Sequence, residues 1–446
     1  MLRPMVGTPG TDFTIEDVRG VFPKEIEITP LERPVDATVR VPGSKSITNR
    51  ALIVAALADG TSRIENPLFA DDPYWLMASL AQLGFAINVD REANIITVIG
   101  QRGIIPKSEA RVFVGNAGTV ARFLPPVLAL GEGVYRVDGT ARMRARPVGD
   151  LVEALRGLGV GVGYAMEEGK FPIEVRGGGI KGGAVGVRGT KSSQFLSGLL
   201  MAAPYARDVV ALEVEGGLVS RPYVGMTLGV MRKFGAEVEE RCERFVVSPG
   251  YYEAREEYLV EPDASGASYF LAAAAVTGGR VKVDGLGASS VQGDLAFVEV
   301  LEEMGCEVEI GPDHVEVRGP RKGLRGIVWD MNDISDTMIT LAAIAPFASS
   351  PTVINNVAHT RAQETDRVAA VAKELTRLGV RVEEHQDGLT VTPGPVRPGM
   401  VHTYDDHRMA MAFSLLGLVV PGIRIQNPSC VTKTLPDYFE RLEALH

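Results

Sequence analysis

The stretch LAQLGFAI, residues 80–87, contains the structural unit that decides the fold of this chain. The apolar residues of LAQL have the spacing of a helix face that packs against a core. Gly84 follows, and glycine readily takes the left-handed conformation that ends a helix. The residues FAI then alternate in the manner of a strand with one buried face. The stretch therefore predicts a helix, a glycine joint and a strand in immediate succession.

The same pattern recurs four more times along the chain. The copies are LRGLGVGV at 155–162, MRKFGAEV at 231–238, LEEMGCEV at 301–308 and LTRLGVRV at 375–382. Their glycines lie 70 to 76 residues apart, a longer period than the roughly 20–50 residues of solenoid repeats. Each repeat has room for several strands and more than one helix, which predicts an α/β fold of repeated units. Helix–glycine–strand is also a common joint in α/β proteins, so the regular spacing is the observation that supports a repeat.

The repeats also predict how the chain divides. The stretch EYLVEPDASGASYFLAAAAVTGG, residues 257–279, changes from a strand to a helix after three copies. A last helix at 436–445 reaches the chain end, so a strand from the N-terminal segment is predicted to complete the last unit. The predicted domains are an upper one over 43–261, with three repeats, and a lower one over 1–42 plus 262–446, with three more. Residues 1–22 match nothing in the pattern and are predicted to be a disordered extension or a cover on the lower domain.

The composition argues against several classes of protein. The chain has 446 residues and a net charge of −10, which argues against nucleic-acid binding. Its three cysteines are far apart and its six histidines lack zinc-site spacing, so neither a disulfide framework nor a metal site is predicted. No apolar run approaches the roughly 18 residues of a membrane helix, and a signal peptide does not fit the N-terminus. We expect a soluble, cytoplasmic protein.

The stretch VPGSKSITNR, residues 41–50, predicts an anion site at the start of a helix. It differs from a nucleotide P-loop, in which lysine follows the second glycine directly. Backbone N–H groups and the helix dipole favour an anion near Lys45 and Ser46. Arg50 lies one turn further on, on the same face as Ser46. The alternative is a capped helix whose lysine and arginine are exposed to solvent.

Eight other stretches place polar or charged residues near the start of an apolar helix. They are GNAGTVARF (115–123), DGTARMRARP (138–147), TKSSQF (190–195), LVSRPYV (218–224), MNDISDTMITLAAIA (331–345), RAQETDRVAAVAKEL (361–375), YDDHRMAMAFSLLG (404–417) and CVTKTLPDYF (430–439). Each alone is more often a cap or a surface feature. In RMRAR, an extended segment would turn alternate arginines to one side, so one or two of them are expected to face a ligand.

Taken together, these helix starts predict a site for two small anionic substrates. If the helices run parallel, their positive ends converge on a cleft between the two domains. Asp336 and Glu364 supply carboxylates for proton transfer, which needs a base near one group and an acid near another. No Ser-His-Asp spacing and no reactive cysteine motif occur, so a covalent intermediate is not predicted.

In their order, these motifs resemble the 5-enolpyruvylshikimate-3-phosphate (EPSP) synthase family over about residues 41–445. The resemblance implies an inside-out α/β barrel of two domains, each with three βαβαββ units, that closes around its ligands. It implies transfer of the enolpyruvyl group of phosphoenolpyruvate to the 5-hydroxyl of shikimate 3-phosphate, through a tetrahedral intermediate and with release of phosphate. It further implies a monomer that uses no metal or organic cofactor.

The resemblance also implies roles for individual residues. Those expected to bind shikimate 3-phosphate are Lys45, Ser46, Arg50, Ser192, Ser193, Gln194, Ser220, Tyr223 and Asp336. Those expected to bind phosphoenolpyruvate are Lys45, Asn116, Gly118, Arg122, Arg142, Gln194, Arg367, Arg408 and Lys433. The expected catalytic residues are Asp336 as the base for the 5-hydroxyl and Glu364 as the proton donor to the methylene carbon, with Lys45 and Lys433.

Two positions depart from the family pattern. The family usually has lysine where this chain has Gln363, which removes a cation from the shikimate phosphate site unless Arg361 or His359 compensates. The family often has proline where this chain has Phe123, behind the phosphoenolpyruvate pocket. This change is expected to tilt the helix that carries Gly118 and to alter the response to glyphosate, which competes with phosphoenolpyruvate in this family.

Two alternative functions remain open at this point. The related enolpyruvyl transferase that acts on UDP-N-acetylglucosamine has a cysteine in the loop that matches residues 138–147, where this chain has none. A noncatalytic nucleic-acid-binding protein on similar repeats would be disfavoured by the acidic balance and by Asp336 and Glu364.

Overall fold

The computed structural model describes residues 13–446 and divides them into two compact units. The first unit consists of residues 13–18 with Lys45–Val260, and the second of Arg19–Ser44 with Glu261–His446. The part of the predicted extension at 1–12 lies outside the described residues. Residues 13–18 pack in the core of the first unit through Ile15 and Val18, whereas the sequence pattern places them with the second. The apolar side chains of Phe13, Ile15 and Val18 are all buried, and burying them favours packing against the first unit.

The elements alternate between helices and strands along the described chain. The helices are α1 (Ile15–Arg19), α2 (Lys45–Leu57), α3 (Asp71–Gln82), α4 (Gly118–Leu128), α5 (Ala141–Ala145), α6 (Gly149–Gly157), α7 (Ser193–Ala202), α8 (Pro222–Lys233), α9 (Ala264–Thr277), α10 (Phe297–Glu303), α11 (Met338–Ile344), α12 (Arg367–Arg377), α13 (His407–Gly417) and α14 (Tyr438–Glu443). Short 3-10 helices are Ala203–Tyr205, Gly293–Ala296, Ser335–Thr337, Ala345–Phe347, Ala358–Ala362 and Pro428–Lys433. The strands are β1 (Glu25–Glu27), β2 (Asp36–Val39), β3 (Asp59–Glu65), β4 (Ala86–Asp90), β5 (Ile95–Gln101), β6 (Glu109–Phe113), β7 (Val134–Asp138), β8 (Gly161–Tyr164), β9 (Ile173–Arg176), β10 (Gly183–Arg188), β11 (Val210–Glu215), β12 (Val238–Arg241), β13 (Arg244–Val247), β14 (Tyr258–Leu259), β15 (Arg280–Asp284), β16 (Glu307–Ile310), β17 (His314–Arg318), β18 (Val328–Asp330), β19 (Thr352–Asn355), β20 (Arg381–Glu384), β21 (Leu389–Thr392), β22 (Gly399–Val401) and β23 (Ile423–Gln426).

The described part of the first unit contains three four-stranded sheets with one common pairing pattern. Their strand orders are β14-β3-β5-β4, β6-β7-β9-β8 and β10-β11-β13-β12. In each order the first pair of strands is parallel and the other two pairs are antiparallel. The recurrence of this mixed pattern shows that the sequence repeat corresponds to a recurring arrangement of strands.

The second unit repeats the pattern and takes in the N-terminal segment. The orders β2-β15-β17-β16 and β18-β19-β21-β20 again begin with a parallel pair. In the third sheet, β22 is parallel to β23, and β1 pairs antiparallel with β23 in a register that sets Glu25 opposite Gln426. The N-terminal segment therefore supplies one strand to the sheet nearest the chain end and another to the sheet of β15.

The five predicted glycine joints are confirmed. They are Gly84, Gly159, Gly235, Gly305 and Gly379, with φ between 84° and 104°. Each follows the C-terminus of a helix (α3, α6, α8, α10 or α12) and precedes a strand. Because this φ strains any residue with a Cβ atom, glycine sets the direction in which each strand leaves its helix.

The mixed α/β class is also confirmed, and each unit has its own apolar core. In α9, for example, Asp263 accepts a hydrogen bond from the Gly266 N–H at 3.0 Å and caps a helix that is almost entirely buried. Across residues 13–446, none of the helices combines the length and the apolar character that crossing a bilayer requires.

Candidate active site

The first unit contains a group of predicted residues that starts with α2. Lys45 and Ser46 form the first turn of this helix. Lys45 is buried, and its Nζ lies 3.5 Å from a carboxylate oxygen of Asp72. A lysine on a simple capped surface helix would be hydrated and mobile. The burial of Lys45 therefore supports the anion-site interpretation over that alternative.

Arg50 points into the core of the first unit and not toward solvent. It is 0% exposed, and burial lowers the pKa of its guanidinium to about 10. Its Nη1 donates to the Ser46 carbonyl at 2.9 Å and its Nη2 to the Tyr223 carbonyl at 3.0 Å. Its Nε donates to Thr227 Oγ1 at 2.7 Å. The sequence did not single out Thr227, although a residue four positions after Tyr223 lies on the same helix face.

The GNAGT segment starts α4 and lies against an arginine that the sequence did not assign to the site. A Cβ added at Gly118 would come within 2.9 Å of the Arg146 guanidinium, which is itself buried. Arg122, one turn further along α4, is buried and donates to the Pro147 carbonyl at 3.1 Å. Gly118 therefore allows close approach of Arg146, and Asn116 precedes this contact on the same turn.

The three arginines of RMRAR have different environments, and the expectation of an extended segment is wrong. Residues 141–145 form α5, which Thr140 caps by accepting from the Met143 N–H. Arg144 is exposed and bonds Asp138 at 2.8 and 2.6 Å, and that carboxylate raises the pKa of Arg144. Arg142 is half-buried. Helical geometry therefore points the three side chains in different directions, whereas a strand would have turned all three to one side.

The serines of the first unit lie at two helix starts. Ser192 caps α7 by accepting from the Gln194 N–H at 3.2 Å, and Ser193 is buried in the first turn. Ser220 precedes α8 with φ of 51° and is buried. Positive φ is uncommon for serine and costs free energy, so its retention here fits a functional turn.

The second unit contains a separate charged cluster around Arg367. This guanidinium is 1% exposed and contacts carboxylates on three sides. Its Nη1 lies 3.1 Å from Asp336 Oδ1 and its Nη2 lies 3.1 Å from Glu364 Oε2. Arg408 Nη2 lies 2.5 Å from the other oxygen of Asp336. The structure therefore brings together four of the predicted residues of this unit at hydrogen-bond distances.

Lys433 completes this cluster. Its Nζ lies 3.4 Å from Glu364 Oε1, and both side chains are buried. Glu364 thus bridges Lys433 and Arg367. Burial disfavours the charge on Arg367, but the neighbouring carboxylates, of which Asp406 has the largest effect, raise its pKa above the usual value. Arg367 is therefore a permanent cation.

Asp406 is a further member of the cluster; it lies in the YDDHR stretch but is not among the predicted site residues. It is 0% exposed, and its Oδ2 accepts from Arg367 Nε at 2.8 Å. Its Oδ1 accepts from the Arg408 N–H at 2.9 Å and caps α13. An aspartate directly before an apolar helix signals a cap, whereas its pairing with an arginine 39 residues away has no local signal.

Gln363 stands where the family usually has lysine, and its side chain contacts Arg367. Gln363 Oε1 accepts a hydrogen bond from Arg367 Nη1. Arg361 is engaged with Asp366 at 3.1 Å and with Glu384 at 2.8 Å. His359 bonds Ser335 Oγ at 2.9 Å, and burial lowers its pKa to about 4. Neither His359 nor Arg361 is arranged as a spare cation.

Within residues 13–446, His, Cys, Asp and Glu side chains form no group of three or more that could hold a metal ion. The buried arginines and lysines at the helix starts suit phosphate and carboxylate groups. The carboxylates in contact with them suit proton transfer. Fold and site together define a mixed α/β enzyme that acts on small phosphorylated anions.

The chain belongs to the EPSP synthase (3-phosphoshikimate 1-carboxyvinyltransferase) family, whose model matches residues 31–442. A 3-phosphoshikimate 1-carboxyvinyltransferase from Nostoc sp. is 52% identical over 418 residues, covering 93% of this chain and 98% of the relative. One from Sulfurovum sp. is 47% identical over 425 residues, covering 94% and 99%. The solved EPSP synthase of Acinetobacter baumannii shares the fold, with a TM-score of 0.78 at 24% identity over 94% of this chain and 97% of that chain. Family membership decides against both alternative functions left open by the sequence.

Proposed function

We propose that this chain transfers the enolpyruvyl group of phosphoenolpyruvate to the 5-hydroxyl of shikimate 3-phosphate, a step of aromatic amino-acid biosynthesis. Membership of the family supports this reaction, and the buried cluster around Arg367 is the structural observation that supports it most strongly. The hydroxyl oxygen bonds to C2 of phosphoenolpyruvate while C3 gains a proton. The tetrahedral intermediate then loses a proton from C3, the C2–O bond to phosphate breaks, and inorganic phosphate leaves.

The proposed ligand contacts follow the family motifs. For shikimate 3-phosphate they are Lys45, Ser46, Arg50, Ser192, Ser193, Gln194, Ser220, Tyr223 and Asp336. For phosphoenolpyruvate they are Lys45, Asn116, Gly118, Arg122, Arg142, Gln194, Arg367, Arg408 and Lys433. The burial of Lys45 and Arg408 supports these assignments because a desolvated cation attracts an anion more strongly than a hydrated one.

Asp336 and Glu364 are the proposed proton carriers. Asp336 accepts the proton of the 5-hydroxyl, and its contacts with Arg367 and Arg408 support this role because they fix both carboxylate oxygens. Glu364 gives a proton to the methylene carbon. In the elimination step Glu364 takes a proton back from C3, and Asp336 passes the hydroxyl proton to the departing phosphate. Lys433, 3.4 Å from Glu364, is the proposed assistant of Glu364 in these transfers.

We also propose the finer fold and setting that the family implies. Each unit is an inside-out α/β barrel of three βαβαββ repeats, with chain crossings near Pro42 and Glu261. The shared pairing pattern of the five four-stranded sheets supports the repeats. The protein acts as a cytoplasmic monomer without metal or organic cofactor.

Phosphate release in the presence of both substrates tests the proposal. We expect turnover with shikimate 3-phosphate, and none when UDP-N-acetylglucosamine replaces it. Asp336→Asn should lower kcat by about 10²- to 10⁴-fold, the usual contribution of a general base. Asp333→Asn, an exposed neighbour on the same segment, is the matched control and should retain activity. An absence of turnover by the wild type, or equal losses in the two variants, would refute the assignment.

A further inference from the structure

A buried polar hub lies in the core of the first unit. We call it the Arg50 hub; its members are Arg50 on α2, Phe123 on α4, Ser197 on α7 and Thr227 on α8. All four side chains are buried. Arg50 donates to Thr227 Oγ1 at 2.7 Å and lies 3.4 Å from Ser197 Oγ. The guanidinium carbon lies 5.1 Å from the centre of the Phe123 ring.

The hub connects the starts of three helices that carry proposed contacts to shikimate 3-phosphate. Arg50 holds the carbonyls of Ser46, in the first turn of α2, and of Tyr223, in the first turn of α8. Ser197 lies one helical turn after Ser193 on α7, and its Oγ lies 2.8 Å from Thr227 Oγ1. Since the guanidinium is planar and its N–H groups have fixed directions, its orientation links the first turns of α2 and α8 directly and reaches α7 through Ser197.

Phe123 supports the guanidinium from α4. A Cβ added at Gly198 would lie 2.5 Å from the Arg122 carbonyl and 3.4 Å from the Phe123 Cα, so α4 and α7 are in close contact. The ring therefore has little freedom to withdraw from Arg50. The Arg50 side chain is fully buried, so its charge is largely desolvated, and this burial lowers its pKa. An aromatic face attracts a desolvated cation more strongly than a hydrated one.

We propose that Phe123 is a positioning residue for shikimate 3-phosphate, because its ring holds the Arg50 guanidinium in the orientation that fixes the starts of α2, α7 and α8. The inference rests on the proposed function. Phe123 does not touch the substrate in this scheme. Its effect is transmitted through Arg50, itself a proposed contact of that substrate, and through the helix starts that Arg50 holds, so it changes the affinity for shikimate 3-phosphate more than the affinity for phosphoenolpyruvate.

Steady-state kinetics with each substrate varied separately test the inference. Phe123→Leu keeps an apolar side chain and removes the aromatic face. We expect it to raise KM for shikimate 3-phosphate about 3- to 10-fold, the range of a partly desolvated cation–π contact, and KM for phosphoenolpyruvate by a smaller factor, because only Lys45 and Gln194 at these helix starts are also assigned to phosphoenolpyruvate. Phe123→Met, a flexible filler of similar length, gives the same measurement if the leucine variant does not fold. Phe245→Leu, an equally buried phenylalanine on β13, is the control for loss of core packing and should change neither KM.

A double-mutant cycle with Arg50→Lys separates positioning from general destabilisation. Lysine keeps the charge but cannot hold three acceptors in a plane. We expect Phe123→Leu to have little further effect on KM for shikimate 3-phosphate in the Arg50→Lys background, because the ring then has no guanidinium to orient.

Three results would overturn the inference. They are an unchanged KM for shikimate 3-phosphate, equal increases in both KM values, and multiplicative effects in the cycle. An increase confined to phosphoenolpyruvate would also overturn it and would show that Phe123 acts through Gly118 on the same helix. Wild-type turnover is measured first: its absence would refute the proposed function, whereas turnover with an unaltered ratio of KM values refutes only this inference.

Discussion

Replacement of Asp406 by asparagine tests the charged cluster of the second unit most sharply. Asparagine has nearly the same shape, and its side-chain oxygen can still cap α13. The substitution removes the negative charge that pairs with Arg367 at 2.8 and 3.3 Å. It therefore isolates the electrostatic part of the interaction from the cap and from packing.

The contacts of Arg367 set the size of the effect. Removing one partner of a buried ion pair costs about 3–5 kcal/mol of unfolding free energy. Arg367 keeps the carboxylates of Asp336 and Glu364, so we expect a cost just below that range, about 2–3 kcal/mol, for Asp406→Asn. Asp406→Ala also removes the cap of α13 and should cost about 1 kcal/mol more.

Urea unfolding followed by tryptophan fluorescence can measure the stability of the second unit, which contains Asp406. The chain has two tryptophans; Trp75 lies in the first unit and Trp329 on β18 in the second. A Trp75→Phe background leaves Trp329 as the reporter. Asp405→Asn is the matched control, because Asp405 is exposed with φ of 59° and asparagine tolerates that conformation.

The outcomes separate clearly. We expect a stability loss for Asp406→Asn that is intermediate between the control and Asp406→Ala. A loss of less than about 0.5 kcal/mol, the usual range of surface substitutions, would refute the view that the charge of Asp406 stabilises the cluster.

Three further predictions follow. His359→Gln should reduce the pH dependence of stability. Native His359, with a pKa of about 4, resists protonation, whereas the same histidine in the unfolded chain takes up a proton near pH 6.5. Between pH 7 and 4.5 the free energy of unfolding of the wild type, measured by urea titration, should therefore fall by about 2–3 kcal/mol more than that of the variant. Glu364→Gln should lower kcat by about 10²- to 10⁴-fold in phosphate release while calorimetry shows unchanged binding of shikimate 3-phosphate. Gly198→Ala should cost about 1–3 kcal/mol in thermal unfolding, because its Cβ meets a backbone carbonyl, whereas Gly225→Ala on α8, with open space around it, should be neutral or stabilising by up to about 1 kcal/mol.

Each of these has a contradicting result. Parallel pH profiles for wild type and His359→Gln would show that the histidine is not held neutral by burial. Full activity of Glu364→Gln would remove it as the proton donor. Equal effects of the two alanine substitutions would contradict the close contact of α4 and α7.

The fold follows from the sequence wherever a local pattern has a local cause. The glycine joints illustrate this, since an apolar stripe, a residue free to take positive φ and an alternating strand all lie within eight residues. The RMRAR segment shows the limit: its alternation fits a strand, but Thr140 caps a helix there. Residues 13–18 likewise carry no local sign of the core in which Phe13 and Ile15 are buried.

The candidate site was predictable as a set of helix starts, but its internal contacts were not. Arg50 meets Thr227 across 177 residues, and Arg367 meets Asp406 across 39. Such pairs depend on how helices pack and on which rotamer each long side chain takes, and neither leaves a signal in residue spacing. The same reason explains why Phe123 could be marked as unusual without its contact to Arg50 being foreseen.

The reaction run in D₂O tests the central claim most directly, because addition followed by elimination makes C3 of the enolpyruvyl group a methyl in the intermediate. Proton transfer from a solvent-exchanged Glu364 must then place deuterium in the vinyl group of the product, which proton NMR and mass spectrometry detect. We expect vinyl deuterium together with release of one phosphate per product from the wild type. Product whose vinyl group contains no solvent deuterium, or no product at all from shikimate 3-phosphate and phosphoenolpyruvate, would contradict enolpyruvyl transfer by this route.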